Sequence, residues 1–334
     1  MSPIKECIIN KKTQETPVWF MRQAGRYLPE FREIRSKNQN FIELCLNEKL
    51  SSEITLQPLK RFELDAAIIF SDILVVPYGL GQKVEFKKNF GPILDNININ
   101  VFNKVLESDF EKKLDPIYKS LKLTSKNSLL NKKDLIGFVG APWTILVYML
   151  NKQSPKKNIN NNLFSDENLI NNLLKIINKF LKIHIKNQIN NGASLIQIFD
   201  SWAGLVEEKK LSKYIYNPTT DLVDYIKSLK TPVICFPRNI KNYKEFVKIV
   251  KPNVLNIDYD VEPKQIKKEI DIIIQGGLDP KILLADKEVL KKETLKYLNI
   301  FKDHPYIFNL GHGILPETDP SNVEYLVKLV KDFK

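Results

Sequence analysis

The sequence predicts a single-domain α/β protein over residues 1–334, its strands closed into a (β/α)8 TIM barrel rather than left as an open sheet. Seven short apolar runs recur along the chain, each bounded by turn residues. They are continuously apolar rather than alternating, as expected for parallel strands covered on both faces. Amphipathic helical stretches lie between them, and strand–helix alternation is the mark of this class. No linker rich in Gly, Ser or Pro divides the chain. An eighth strand is not evident, so closure is expected to be irregular.

The first run is Asp65–Asp72 (DAAIIFSD) and the second Leu135–Trp143 (LIGFVGAPW). The stretch between them is too long for one crossover. It holds a candidate hairpin, Val84-Glu85-Phe86 to Pro92-Ile93-Leu94, with Asn89-Phe90-Gly91 near its turn. Asp166–Asn191 has apolar residues at helical spacing, with Gly192 where a C-terminal cap belongs. The runs Ser194–Ser201, Pro232–Arg238, Val254–Asp260, Asp271–Asp279 and Tyr306–Gly313 follow. A last helix opens with Asp319 as cap and Pro320 in the first turn.

Composition excludes several classes. No apolar run reaches the length of a membrane span, and the first residues, MSPIKECIINKK, lack the apolar stretch of a secretory signal. Cys7, Cys45 and Cys235 are odd in number and far apart, which argues for a reducing compartment and against a disulfide framework or a zinc motif. The net charge is +12, but the lysine runs are short and scattered and no nucleic-acid motif appears. The chain lacks a phosphate-binding loop and a dinucleotide fingerprint, metal spacing, and a lysine at the sixth strand end for a Schiff base.

In a barrel the chemistry sits at the C-terminal strand ends. Those ends carry Ser71-Asp72, Gly140-Ala141-Pro142-Trp143 with Tyr148 on the next helix, Asp200-Ser201-Trp202, Arg238, Asp258 with Asp260, Gly276-Gly277 with Asp279, and Gly311-His312-Gly313. Asp72 reads either as a functional carboxylate or as a helix cap. Tyr148 reads as a pocket hydroxyl or as core packing, and His312 as a ligand residue or a turn residue. His184 reads as a surface or packing residue. Before the first strand, Met21–Arg35 (MRQAGRYLPEFREIR) concentrates arginine in a lysine-preferring chain. Arginine grips carboxylates with two parallel hydrogen bonds. Arg22 and Arg26 would share a face on a helical turn, and Gly25 between them permits close approach. They form either a clamp for a multiply anionic ligand or a surface pair with Glu30 and Glu33.

Five motifs, in order, carry a resemblance: MRQAGRYLPEFREIR, TLQPLKRFELDAAIIFSDILVVPYGLG, GFVGAPWT, QIFDSWAG and NLGHGILPETDP. From about Thr16 to the C-terminus the chain resembles the uroporphyrinogen decarboxylases. The resemblance implies a distorted (β/α)8 barrel, a homodimer and a cytoplasmic enzyme of haem biosynthesis. It implies removal of four acetate carboxyls from uroporphyrinogen III to give coproporphyrinogen III and carbon dioxide, without metal or organic cofactor. It places Arg22, Gln23, Ala24, Gly25, Arg26, Asp72, Tyr148, Ser201 and His312 at the substrate, with Arg35 and Phe41 as weaker candidates. The Asn- and Lys-rich stretch around Ser154–Asn162 is outside what the motifs inform.

The residues agree with this chemistry. Uroporphyrinogen carries eight carboxylates around four pyrroles, so rim arginines suit it. Losing carbon dioxide needs an electron sink, and a protonated pyrrole provides one. A carboxylate such as Asp72 beneath the ring stabilises that cation, and Arg22 or Arg26 nearby should keep it ionised. Arginine, Tyr148, His312 or water remain as proton donors. Competing readings are a corrinoid or thiol methyltransferase of the same barrel superfamily, which needs a His/Cys zinc site, a non-catalytic tetrapyrrole carrier, and a basic nucleic-acid binder.

Overall fold

The computed structural model describes residues 1–11, 15–87, 90–155 and 164–334. Seven parallel strands form one curled sheet in chain order: β1 (Ala66–Ile68), β4 (Asp134–Gly140), β5 (Leu195–Asp200), β6 (Val233–Pro237), β7 (Val254–Ile257), β8 (Ile273–Gly276) and β9 (Tyr306–Ile307). Six lie within the predicted apolar runs, and β4 begins one residue before its run, at Asp134. Each connection after β4 returns through helix, which parallel pairing requires. The antiparallel hairpin β2 (Val84–Lys87) and β3 (Gly91–Leu94) interrupts the first crossover, pairing Val84 with Leu94 and Lys87 with Gly91. Asn89, expected near its turn, lies outside the described residues, as does most of Ser154–Asn162.

Continuous apolarity in the strands is explained by two buried faces. Ala66, Ile68, Ile136, Ile234, Phe236 and Ile273 pack with Trp19 in one cluster. Their neighbours Ala67, Ile69, Leu135, Val233, Cys235 and Ile274 pack with the helices in a second, larger one. Inside the curl, polar side chains satisfy one another: Trp19 Nε1 donates to Gln275 Oε1 at 2.9 Å, and Gln275 Nε2 donates to Asn256 Oδ1 at 2.7 Å. The helix Pro3–Asn10 adds Ile4 and Cys7 to the inner cluster. Its cap Ser2 also donates to Asp134, at the start of β4. That helix covers the N-terminal ends of the strands and leaves the C-terminal ends open.

Both edges of the sheet meet the same segment. Phe308 N donates to Pro17 O at 2.8 Å and Trp19 N to Phe308 O at 3.3 Å, beside β9. Asp65 N donates to Val18 O at 2.9 Å, and Gln23 Nε2 to Ala66 O at 2.9 Å, beside β1. Asp65 anchors the segment further. Its carboxylate accepts from Val18 N at 2.7 Å and from Lys331 Nζ at 2.7 and 2.8 Å. Lys331 lies on the last helix, Pro320–Asp332, whose start is capped by Asp319 as its sequence predicts.

The helix Glu167–Asn190 is likewise capped by Asp166, and Gly192 follows it with a left-handed φ of 113°. His184 on this helix packs in the core, 3.1 Å from the Tyr118 hydroxyl, and burial pushes its pKa down to about 3. The helix Pro142–Asn151 is buried along most of its length, because it is apolar nearly all round.

Candidate active site at the open strand ends

Arg22 and Arg26 do not sit on a helix. Residues 21–28 form successive turns and bends, and Arg22 holds a left-handed φ of 59°. This conformation is uncommon for a residue with a Cβ and is found where surrounding structure enforces it. The enforcing contacts are local. Gln23 is fully buried; its side chain accepts from Phe20 N at 3.0 Å and donates to Ala66 O. Tyr27 OH donates to Gln23 O at 2.8 Å. Arg32 Nη1 donates to the carbonyls of Arg26 and Tyr27 at 2.9 and 2.8 Å. A Cβ on Gly25 would lie 2.8 Å from the Arg22 carbonyl oxygen, so glycine there serves this turn. Ala24 is half-buried against the core beside it.

The acidic neighbours are taken by other partners. Glu30 pairs with Arg61 through two hydrogen bonds of 2.5 and 2.9 Å, and Glu33 with Lys37 at 2.9 Å. Among the described residues, Arg22 and Arg26 make no ion pair within 4.0 Å. The pairing with Glu30 and Glu33 that the surface alternative required is thus not formed, and the turn fixes both arginines at the backbone. Arg35 hydrogen-bonds the Asn38 carbonyl and lies 5.5 Å from the centre of the Phe41 ring. Phe41 in turn packs edge-on against Phe70 at 5.7 Å.

Asp72 follows β1 and keeps only part of its surface open. Its Oδ1 accepts from Leu74 N at 2.8 Å, a turn-type cap before the helix Val75–Gly79. Its other oxygen makes no hydrogen bond among the described residues. The capping and functional readings thus concern different oxygens of one carboxylate. Burial raises the Asp72 pKa to about 6, outweighing the lowering from Leu74 N–H and Arg22. The arginines were expected to dominate; desolvation does, because Arg22 is near but not in contact. Asp72 still carries its charge through most of the population at neutral pH.

Tyr148, on the helix after β4, stands within electrostatic reach of both Asp72 and Arg22. Burial raises its pKa above the usual value, so its hydroxyl stays protonated. Its ring meets Trp202 edge-on at 6.0 Å, and Ser154 Oγ lies 3.4 Å from its hydroxyl. One turn earlier, Thr144 ties this helix to the end of β5: its hydroxyl donates to Asp200 Oδ1 at 2.6 Å and accepts from Trp202 N at 3.1 Å. Asp200 is buried, with its pKa raised by burial to about 7, and its Oδ2 has no partner. Ser201, the next residue, is half-exposed.

His312 explains its two glycines. A Cβ on Gly313 would lie 2.6 Å from Arg22 Cγ, and one on Gly311 would lie 2.7 Å from the Asp258 carbonyl carbon. The glycines are required by packing on both sides of the histidine, not by ligand access alone. Burial, then Arg22 and Arg238, push the His312 pKa down to about 3, so its ring is neutral. Arg238 was visible only as a strand end; the structure brings it to the same mouth, its Nε donating to Asp258 Oδ2 at 3.0 Å. Asp279 instead caps the short helix Pro280–Leu284 through Lys281 N at 2.9 Å.

The packing separates two alanine substitutions. Gly313→Ala presses on a flexible side chain, so it is expected to fold with a near-native melting temperature and to bind substrate roughly tenfold or more weakly as Arg22 is displaced. Gly311→Ala presses on backbone and is expected to destabilise by about 1–3 kcal/mol. Thermal melts beside KM values check both; equal melting losses for the two would contradict the packing argument.

The family model for uroporphyrinogen decarboxylase (URO-D) matches residues 2–333. The chain belongs to the uroporphyrinogen decarboxylase family. The uroporphyrinogen decarboxylase of Rickettsia africae is 42% identical over 323 residues, covering 95% of this chain and 93% of that protein. That of Rickettsia felis is 40% identical over 329 residues, covering 97% and 95%. Among solved structures, a methyltransferase from Methanosarcina mazei aligns over 100% of this chain and 99% of its own, with a TM-score of 0.81 at 14% identity. That likeness is one of fold. No three His, Cys, Asp or Glu side chains gather to hold a metal among the described residues, and the three cysteines are separate and buried. No helix among them is long and apolar enough to cross a membrane.

Proposed function

We propose that this chain decarboxylates uroporphyrinogen III, converting its four acetate side chains to methyls and yielding coproporphyrinogen III and carbon dioxide, without metal or organic cofactor. The observation that carries the reading is one partly desolvated carboxylate, Asp72, within electrostatic reach of Arg22 in a member of this family. The setting we propose is one domain over residues 1–334, a distorted (β/α)8 barrel in which Pro17–Met21 is the eighth stave. The hydrogen bonds of that segment to both sheet edges support the closure. The family likeness also favours a cytoplasmic homodimer with a small-molecule tetrapyrrole as partner and neither nucleic acid nor membrane.

Each step exchanges a CH2–CO2− group and one proton for a CH3 group and carbon dioxide. A proton adds to the ring α-carbon next to the one bearing the acetate, and the pyrrole becomes cationic. The bond to the carboxylate breaks, its electron pair flows into the ring, and an exocyclic methylene remains. A proton then adds to the methylene as the first leaves the ring carbon. Asp72 accepts pyrrole N–H groups and opposes the cationic charge, which is largest in the transition state. Arg22 and Arg26 hold rim carboxylates, with Gln23, Ala24 and Gly25 shaping the loop between them. Ser201 and the protonated Tyr148 hydroxyl offer hydrogen bonds from the opposite wall. Neutral His312 serves as a hydrogen-bonding partner; an anionic substrate beside it raises its pKa.

Anaerobic incubation of chelator-treated protein with uroporphyrinogen III, followed by chromatography of the oxidised porphyrins by carboxyl number, tests this. Products with seven down to four carboxyls are expected; a persistent eight-carboxyl species alone would refute the reading. In the same assay Arg26→Lys is expected to raise KM about tenfold or more and to accumulate partly decarboxylated porphyrins, because lysine loses the two-pronged grip. An unchanged product profile and KM would make Arg26 a structural residue.

A further inference from the structure

We propose that Arg238, anchored by Asp258, is a third arginine of this mouth and binds a peripheral carboxylate of the substrate. The inference rests on the decarboxylase reading and adds a binding residue to it. Lysine supplies most of the positive charge in this chain: of 51 lysines and arginines, six are arginines. Three have structural partners, with Arg61 on Glu30, Arg32 on two carbonyls and Arg35 on the Asn38 carbonyl. Arg22 packs against Gly313 beside His312, and Arg26 lies within electrostatic reach of Arg22. Arg238 is the sixth, and the only one beyond residue 61.

Its position follows from contacts that run unbroken along the rim. Arg22 packs on Gly313, Gly311 packs on the backbone of Asp258 and Tyr259, and Asp258 accepts from Arg238. His312 lies at the centre of this arc. The Arg238 backbone is fixed as well: its N–H donates to Asp200 O and its carbonyl accepts from Gly204 N, both at 3.0 Å.

Asp258 is fully buried and engages Arg238 through Nε. The two terminal nitrogens make no hydrogen bond among the described residues, and the side chain retains 21% exposure. A guanidinium held at Nε presents its outer edge in a fixed plane, the geometry for a two-pronged carboxylate contact. A nearby hollow of about 360 Å³, beyond Asn239, is lined by Asp260, Glu262 and Glu269 against the one cation Lys241, a net acidic lining that disfavours such a ligand. The anion is therefore directed toward the arginines. Arg238 also acts electrostatically on Arg22 and His312, which marks the cations as one field that an anion relieves.

The alternative role for Arg238 is solely as counter-ion to buried Asp258. Arg238→Gln alone leaves that carboxylate unpaired and risks misfolding. The double variant Arg238→Gln/Asp258→Asn removes both charges at nearly constant volume. The readout is Kd for uroporphyrinogen by anaerobic titration calorimetry, in an Asp72→Asn background where the ligand is consumed only slowly. We expect the double variant to fold and to bind roughly tenfold or more weakly. A Kd within twofold of the background protein would overturn the proposal and leave Arg238 a counter-ion. Failure of the unaltered protein to release carbon dioxide would instead strike the decarboxylase reading, while the Kd comparison still judges Arg238.

Discussion

Asp72→Asn is expected to fold normally and to lose about 10²–10³ in the rate of the first decarboxylation, the typical cost of removing one preorganised electrostatic group. The amide still accepts from Leu74 N, so the turn before the helix Val75–Gly79 survives. What disappears is the charge opposing the cationic ring, so single-turnover rates should fall more than affinity. The same substitution has a stability signature of opposite sign. The Asp72 carboxyl is raised from 3.8 to about 6 by burial. A raised carboxyl pKa means that ionisation costs stability as the pH climbs from about 4 to about 6, and the neutral amide escapes that cost. At neutral pH the variant should melt at or above the temperature of the unaltered protein. The gain is at most on the order of 1–3 kcal/mol, less for the carboxylate's open side. A variant that unfolds would make Asp72 a structural cap; one that keeps near-native turnover would remove its cation-stabilising role.

Lys331→Met carries the largest expected loss of stability. Lys331 Nζ and Asp65 are almost buried, with side-chain exposures of 13% and 8%. Removing the cation leaves the carboxylate facing Val18 N, with Lys133 as a more distant charge. Breaking a buried pair from one side typically costs about 3–5 kcal/mol. The loss should shrink on acidification, because a protonated Asp65 no longer needs a counter-ion. The damage should spread to the mouth, since Asp65 holds the segment that leads directly into Arg22. Melting curves at pH 7 and at lower pH measure both effects; a variant within about 0.5 kcal/mol of the native protein would show that this anchor does not secure the segment.

The strands were legible because burial on both faces leaves unbroken apolar runs, which periodicity alone can detect. The segment Pro17–Met21 escaped notice for a related reason. It is short, has one isolated bridge to Phe308, and is held as much by the Asp65 carboxylate and the Gln23 amide as by a strand ladder. Side-chain contacts of that kind leave no period in a sequence. In the proposed site, Asp72 and the Arg22–Arg26 pair were singled out by residue type and place. Two physical details were not. The arginines stand on turns rather than a helical face, and burial outweighs Arg22 at Asp72. Both depend on distances that spacing cannot supply. Arg238 had a readable signal, an isolated arginine at a strand end in a lysine-rich chain. Its buried partner Asp258, 20 residues later, emerged only from the fold.

The pH dependence of kcat/KM for the first decarboxylation, measured between about pH 5 and pH 8, tests the role of Asp72 most directly, because this ratio reports ionisations of the free enzyme. An ionised carboxylate that stabilises a cation predicts activity falling as the pH drops through about 6, although the reaction itself consumes a proton. If Asp72 were instead the proton donor, activity would hold or rise on the acid side and fall as the pH rises through the same value, and that result would contradict the assigned role.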